Sequence, residues 1–296
     1  MEFRTQVDIP KPGFLIEPRE ELLFVGSCFA DSIGKRFVDN QFRAVVNPYG
    51  TMYNPASVLH TISKYENSLI ADSNLLPLTS YLLPRVVFLT LGTNHVYRLK
   101  ETGEIVDNCQ KRPASLFQEE QLSVDECADY LQRTVTLLRS RRPDVHIIFT
   151  VSPIRYRKYG YHGSQLSKAT LLLAVQKVIS HLAPHSSLLS PHSSLLYFPA
   201  YEILMDELRD YRFYADDMLH PSSQAVEYIW QQLVAHYFSP RAKEFLREWT
   251  PLKAALNHRP FNPDSDEYRQ FLADTHAKID DLLSRYPPPT APEPAG

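Results

Sequence analysis

"ELLFVGSCFADSIGKRFVDN" (residues 21–40) decides the architecture. Residues 21–26 form an apolar run of strand length closed by Gly26, and residues 29–40 carry apolar positions at helical spacing. Between them Ser27 and Cys28 stand side by side at a strand-to-helix corner. Such a corner lifts a side chain above the sheet, beside a helix N-terminus whose free N–H groups favour negative charge. Two potential nucleophiles there raise the question of which one does chemistry.

The same alternation continues outward. "FRAVVN" (42–47) reads as a strand, and "NPYGTMYNP" (47–55) as a loop dense in turn formers. "PASVLHTISKY" (55–65) opens on Pro, as first helical turns do. "RVVFLTLG" (85–92) is apolar almost throughout, the mark of a strand buried on both faces. "HVYRLKETGEIVD" (95–107) alternates around Glu101-Thr102-Gly103 as a hairpin. Ser123 and Glu126 form a capping box opening a helix that Pro143 ends. "VHIIFTVSP" (145–153) and "SLLYFPAY" (194–201) are further strands, with helices at 164–182 and 222–238.

This order predicts an α/β fold, a three-layer α/β/α sandwich with a mainly parallel five-stranded sheet. The near-duplication "PHSSLL" at 184–189 and 191–196 is too short for a structural repeat and reads as loop slippage. Beyond Pro240 two helical stretches, about 241–257 and 264–285, carry no strand signal. The expected organisation is a domain over 1–240, a helical extension over 241–286 packed on it, and a disordered Pro-rich tail over 287–296.

Composition narrows the classes of function. The 296 residues are 44% hydrophobic and 22% charged, with net charge −3. That balance draws neither nucleic acid nor an anionic membrane over long range. No apolar run reaches the roughly 18–20 residues of a membrane span, and no signal-like segment follows Met1. The three cysteines, Cys28, Cys109 and Cys127, lack metal-ligand spacing and make no disulfide framework, so a cytoplasmic location is expected. Only 9 residues are Gly, against about 7% in an average protein, so Gly26, Gly50 and Gly92 at the ends of runs and turns point to backbone demands.

In open α/β sheets the active crevice lies at the carboxyl ends of the strands. Just after the apolar runs come Ser27-Cys28, Asn47-Pro48-Tyr49-Gly50, Gly92-Thr93-Asn94 and, late in the chain, "YADDMLHPSS" (214–223) with Asp217 and His220. Each group meets a need of acyl transfer. The corner offers a nucleophile, and His220 can take its proton while Asp217 holds the ring. Asn94 and the Gly50 N–H can aim at a developing oxyanion. Asp216 is a rival for Asp217. Tyr49 and Arg155 are candidate pocket residues. The segment "IRYRKYGYH" (154–162) mixes Arg155, Arg157 and Lys158 with Tyr and suits a sugar or an anionic group, or a solvated loop. A phosphate-binding Gly-rich loop and zinc spacing are both absent, so no cofactor and no metal are expected.

These blocks resemble the SGNH (GDSL-like) hydrolases, whose pattern is a Gly-Asp-Ser turn, a Gly, a Gly-x-Asn and an Asp-x-x-His. More narrowly, "GSCFA" (26–30), "NPYGTMYNP", "TLGTN" (90–94), "TVSPIR" (150–155), "QLSKATLLLA" (165–174) and "YFPAYEILMDELRDYRFYADDMLHPS" (197–222) are similar to the GSCFA-domain family, a bacterial branch related to that superfamily. The resemblance spans roughly residues 1–240 and implies an SGNH-hydrolase-like, flavodoxin-like fold. It carries Gly92 and Asn94 over from the Gly-x-Asn block, Gly50 from the lone-Gly block, and Asp217 and His220 from the last block.

The departure lies at the corner. Laying Gly26 on the Gly of Gly-Asp-Ser puts Ser27 on the Asp and Cys28 on the nucleophilic Ser. Cys28 is then the nucleophile, with Ser27 serving if the turn is shifted by one. A thiol beside a helix N-terminus and a His is expected to have a lowered pKa. The implied function is a metal-independent esterase working through an acyl-enzyme on a small-molecule or glycan ester, with carbohydrate O-acyl groups implied by the resemblance alone. The alternatives are an acyltransferase, or a binding module that kept the scaffold and lost the reaction. The oligomeric state is not legible.

Overall fold

A computed structural model describes residues 4–72, 83–107, 109, 111–182 and 194–289. Five strands make one sheet: β1 (Glu21–Gly26), β2 (Arg43–Val46), β3 (Val86–Leu91), β7 (His146–Val151) and β8 (Leu195–Tyr197). The spatial order is β2-β1-β3-β7-β8 and every pairing is parallel. This is the doubly wound order, in which the chain reverses direction between β1 and β3 and leaves a crevice above their carboxyl ends.

Strand periodicity builds the core on both faces of this sheet. Leu22, Phe24, Val86, Phe88, Ile148 and Leu196 point to one side. Leu23, Val25, Val87, Leu89, Ile147 and Phe149 point to the other. The first side is covered by α1 (Cys28–Asp39) and α6 (Ser223–Tyr237), and the second by α2 (Pro55–Asp72), α3 (Val124–Arg141) and α4 (Gly160–Leu182). The α/β/α layering and parallel sheet expected from the sequence are therefore present.

Several local expectations are corrected. The helix opening at Pro55 continues past Tyr65 to Asp72, with the buried Glu66 paired to Arg141 of α3. The hairpin is real, β4 (His95–Leu99) against β5 (Ile105–Val106), but β6 (Phe117–Gln121) joins it to make a three-stranded antiparallel sheet. The last strand stops at Tyr197, because Pro199 leads into a short helix, α5 (Ala200–Glu202), continued as a π-helical turn over Ile203–Leu208. The Ser123–Glu126 capping box forms as read. The first "PHSSLL" copy lies outside the described residues, as do residues 290–296 of the Pro-rich tail.

Two further helices follow, α7 (Pro240–Leu256) and α8 (Asp266–Arg285). Ser239 caps α7, and Phe245 and Trp249 join the core beside Phe42, with Trp249 Nε1 donating to Asp39 O at 3.0 Å. Ile279 and Leu282 of α8 join the same core. Each such large apolar side chain contributes on the order of 1.5–3 kcal/mol by burial. Among the described residues no helix is long and apolar enough to cross a membrane.

Candidate active site

The β1–α1 corner is fixed by its backbone. Gly26 has φ +148°, and a Cβ there would stand 2.1 Å from Thr90 O. Only Gly lets β1 lie this close to β3 at its end. The Gly26 N–H donates to Asn47 Oδ1 at 2.9 Å, while Asn47 Nδ2 donates to Asp31 Oδ1 at 2.7 Å. Met52 N–H then donates to Gly26 O at 2.8 Å, and the Gly92 and Thr93 N–H groups both donate to Tyr53 O at 2.8 Å. The loop after β2 is thus stitched across the ends of β1 and β3.

In that frame the two corner residues do different things. Ser27 is the N-cap of α1: its Oγ accepts from Phe29 N–H at 3.4 Å, its own N–H donates to Thr90 O, and it is 1% exposed. Cys28 is the first helical residue and half-buried, with Sγ 3.6 Å from His220 Nε2. The structure therefore brings Cys28, and not Ser27, to the histidine.

His220 comes from the turn before α6. Its Nδ1 lies 2.5 Å from Asp217 Oδ2, and Asp217 Oδ1 accepts the N–H groups of both Leu219 and His220 at 2.9 Å. These backbone donors, together with the His220 ring, hold the Asp217 carboxyl at about 2. Asp216 is exposed and makes no hydrogen bond among the described residues. Asp-x-x-His is thus a local unit, closed by the Ala215 N–H to His220 O bond at 2.8 Å and by Ser222 capping α6.

The thiol departs from expectation. Burial is the largest influence and pushes the Cys28 thiol up. The N–H groups of Cys28 and Phe29 and the charge of Lys168 pull the other way, and do not prevail. Partial burial of the sulfur therefore disfavours a standing thiolate at Cys28.

The expected oxyanion donors are not presented to the cleft. The Gly50 N–H closes a turn on Asn47 O at 2.9 Å. Asn94 is buried, with Nδ2 donating to Leu122 O at 2.7 Å. Gly92 lines the cleft, but its N–H is held by Tyr53 O, and its lack of a side chain leaves room for Tyr53, 3.2 Å from where a Cβ would stand. Tyr49 also turns away: its hydroxyl bonds Ser68 of α2 and its ring carries Lys64. Arg155 does line the cleft.

The sequence reading missed Lys168. It sits on the buried stripe of α4 with Ser164, Leu171 and Val175, and is 2% exposed. Its Nζ donates to Gly92 O at 2.6 Å and Ser152 O at 2.8 Å, tying the ends of β3 and β7, and it lines the cleft beside Cys28. Burial lowers it to about 7. The available signal was a lysine at the core position of a helical repeat in "QLSKATLLLA".

The cleft holds about 320 Å³ and runs from Ser27, Cys28 and Tyr53 to Arg155, Arg157 and His220. Its rim is steadied by the small sheet: His95 stacks on Tyr159 with centroids 3.4 Å apart, and Glu119 of β6 accepts from Lys158 at 2.9 Å. Among the described residues no group of three or more His, Cys, Asp and Glu side chains could hold a metal ion.

A doubly wound parallel sheet with Cys28, His220 and Asp217 brought together in its switch-point crevice defines the α/β class of this protein. Family comparison then narrows that class. A model described as the GSCFA family matches residues 21–81 and 79–233, and one described as the GSCFA domain protein, C-terminal domain, matches residues 249–288. The chain belongs to the GSCFA family. No curated protein matches it. Solved structures similar to it include a catalytic mutant of an acetylxylan esterase from Geobacillus stearothermophilus, with 14% identity, TM-score 0.43, and coverage of 76% of this chain and 98% of that one. Another is a family 3 carbohydrate esterase from Clostridium thermocellum, with 13% identity, TM-score 0.40, and coverage of 77% and 97%. At identities this low, the question of activity rests on the site itself.

Proposed function

We propose that this protein is an esterase of SGNH type that works through an acyl-enzyme on Cys28. The observation that carries the reading is the alignment of Cys28 Sγ, His220 Nε2, His220 Nδ1 and Asp217 Oδ2, with contacts of 3.6 and 2.5 Å. His220 takes the thiol proton as Sγ bonds the ester carbonyl carbon. The oxygen that becomes negative faces the N-terminus of α1 and the Lys168 ammonium, the positive groups left once Gly50 and Asn94 are engaged elsewhere. The carbon–oxygen bond of the ester then breaks, and His220 passes its proton to the departing alcohol. Water attacks the thioester, gives a proton to His220, and the carboxylic acid leaves as the thiol is restored. Asp217 orients the ring and stabilises the imidazolium that forms in each half.

The test is peptide mapping by mass spectrometry after treatment with 4-nitrophenyl acetate, wild type against His220→Ala. The expected result is an acetyl adduct on Cys28 whose formation slows by about 10²–10⁴-fold in the variant. An adduct on Ser27, or one on Cys28 indifferent to His220, overturns the mechanism. A second reading, a binding module on the same scaffold, is favoured by the engagement of the expected oxyanion donors. It predicts no turnover, and ligand binding that survives His220→Ala.

A further inference from the structure

The cleft is far more positive than the chain. The protein carries a net charge of −3, yet Arg155, Arg157 and Lys168 all line this one cleft; Asp217, spent on His220, and Asp31, whose charge reaches Cys28, are not among the lining residues. Lys158 is also there, but Glu119 neutralises it. The other three have no carboxylate partner among the described residues. Lys168, lowered to about 7 by its burial, has two carbonyls for hydrogen bonds and no counter-charge, so an anionic group entering the cleft would favour its charged form.

Arg155 is the built element. Its guanidinium lies 4.4 Å from the ring centroid of Tyr161 and 5.1 Å from that of Tyr214, with Tyr211 at 5.9 Å. Its backbone N–H donates to Leu219 O at 3.0 Å, and its Nη1 approaches Met218 O at 3.4 Å. The fork is thereby held half-buried against the loop that carries His220, with most of its N–H donors unspent. A planar guanidinium fixed this way suits bidentate recognition of a carboxylate or phosphate.

Position says which half of the substrate bears the anion. His220 hands its proton to the departing oxygen, so the alcohol half of the ester lies over the His220 loop. Arg155 is bonded to the two residues before His220. We propose that the substrate is an ester whose alcohol half carries a carboxylate or phosphate, an O-acylated acidic or phosphorylated polyol being the fitting class. Arg155 grips that group, Arg157 meets it at the rim, and Lys168 adds its field from below. The inference rests on the esterase reading and narrows it.

The test compares three acetyl esters on the intact wild-type chain: 4-acetoxybenzoate, 4-acetoxyphenyl phosphate and the neutral 4-acetoxybenzamide. The benzamide has the better leaving group than the benzoate, so intrinsic reactivity works against the proposal. The expected result is a kcat/KM on the order of tenfold or more higher for at least one anionic ester, and the better of the two identifies carboxylate or phosphate. In Arg155→Gln the anionic-to-neutral ratio falls towards one, and in Arg155→Lys it is intermediate, because the charge stays and the fork is lost. A wild-type ratio at or below one overturns the inference while leaving the esterase intact. If no ester is turned over and Cys28 stays unlabelled, the esterase reading fails. Calorimetric titration of the same three compounds then decides separately: tighter binding of an anion supports the clamp, and equal binding overturns it.

Discussion

The two halves of the site are built in opposite ways. The nucleophile corner is locked by long-range structure: Ser27 is 1% exposed, Gly26 packs on Thr90, and Asn47 and Met52 from the next loop complete the grip. The histidine half is open, with the side chains of His220 and Asp217 48% and 45% exposed, and is held mostly by bonds within its own turn, with Arg155 as its long-range tie. One half borrows its precision from the whole fold and the other makes most of its own. Damage to the first should therefore register as instability, and damage to the second as lost activity.

The largest effect expected from that contrast is at Gly26. Gly26→Ala puts a Cβ into Thr90 O at a φ that L side chains rarely adopt. Relief requires β1 and β3 to part, at a cost on the order of 3–5 kcal/mol. Denaturant unfolding should show the midpoint collapsing. A stable Gly26→Ala protein would mean that the corner is not locked as described.

Asp217→Asn should act chiefly on activity, lowering acylation by about 10²–10⁴-fold with a loss of stability at neutral pH well short of the one at Gly26. It also gives a pH signature. Asp217 is depressed to about 2 in the folded protein, against about 3.9 in an unfolded chain. The unfolded state therefore binds the proton first as pH falls, so the carboxylate's contribution is complete above about pH 4 and fades as pH drops through 2. The stability gap between wild type and Asp217→Asn should close over that window in acid unfolding curves. A gap that persists at pH 2 would show that the Asp217 carboxylate is not what orders the loop.

The same contrast explains what was legible in the sequence. Strand periodicity and the Asp-x-x-His unit are local, so β1, β3 and β7 and the His220–Asp217 pair could be read directly. Cys28 was legible as one of two candidates; assigning it took the cap geometry of Ser27, visible only once the helix start is known. The β6 strand "FQEEQ" hid because only Phe117 of its five residues is fully buried, so polar outward positions masked the alternation. Lys168 hid for the opposite reason. A lysine at a core position looks like an error in the pattern, and its partners, Gly92 O and Ser152 O, come from two distant strands. The direction of the Cys28 shift was missed because proximity to a helix N-terminus can be read from sequence, whereas burial of the sulfur cannot.

Asn94 provides the smallest effect and the sharpest discrimination. Sequence order places it where a side-chain amide would meet the oxyanion, but non-local packing takes the amide away. Its Nδ2 donates to Leu122 O at 2.7 Å, its backbone N–H donates to Ser167 Oγ at 3.0 Å, and the residue is buried and not among those lining the cleft. Its work is to tie the end of β3 to the start of α3, work that belongs to the locked half of the site. Asn94→Ala should accordingly cost about 1–3 kcal/mol of stability, from the orphaned Leu122 carbonyl, and lower kcat by less than about threefold, far short of the 10²–10³-fold that loss of an oxyanion donor brings. Steady-state kinetics and denaturant unfolding on the one variant read both numbers. A hundredfold fall in kcat at unchanged stability would mean that substrate draws the amide out of its bond to Leu122, and that the charge at the reacting carbonyl is met by Asn94 rather than by α1 and Lys168.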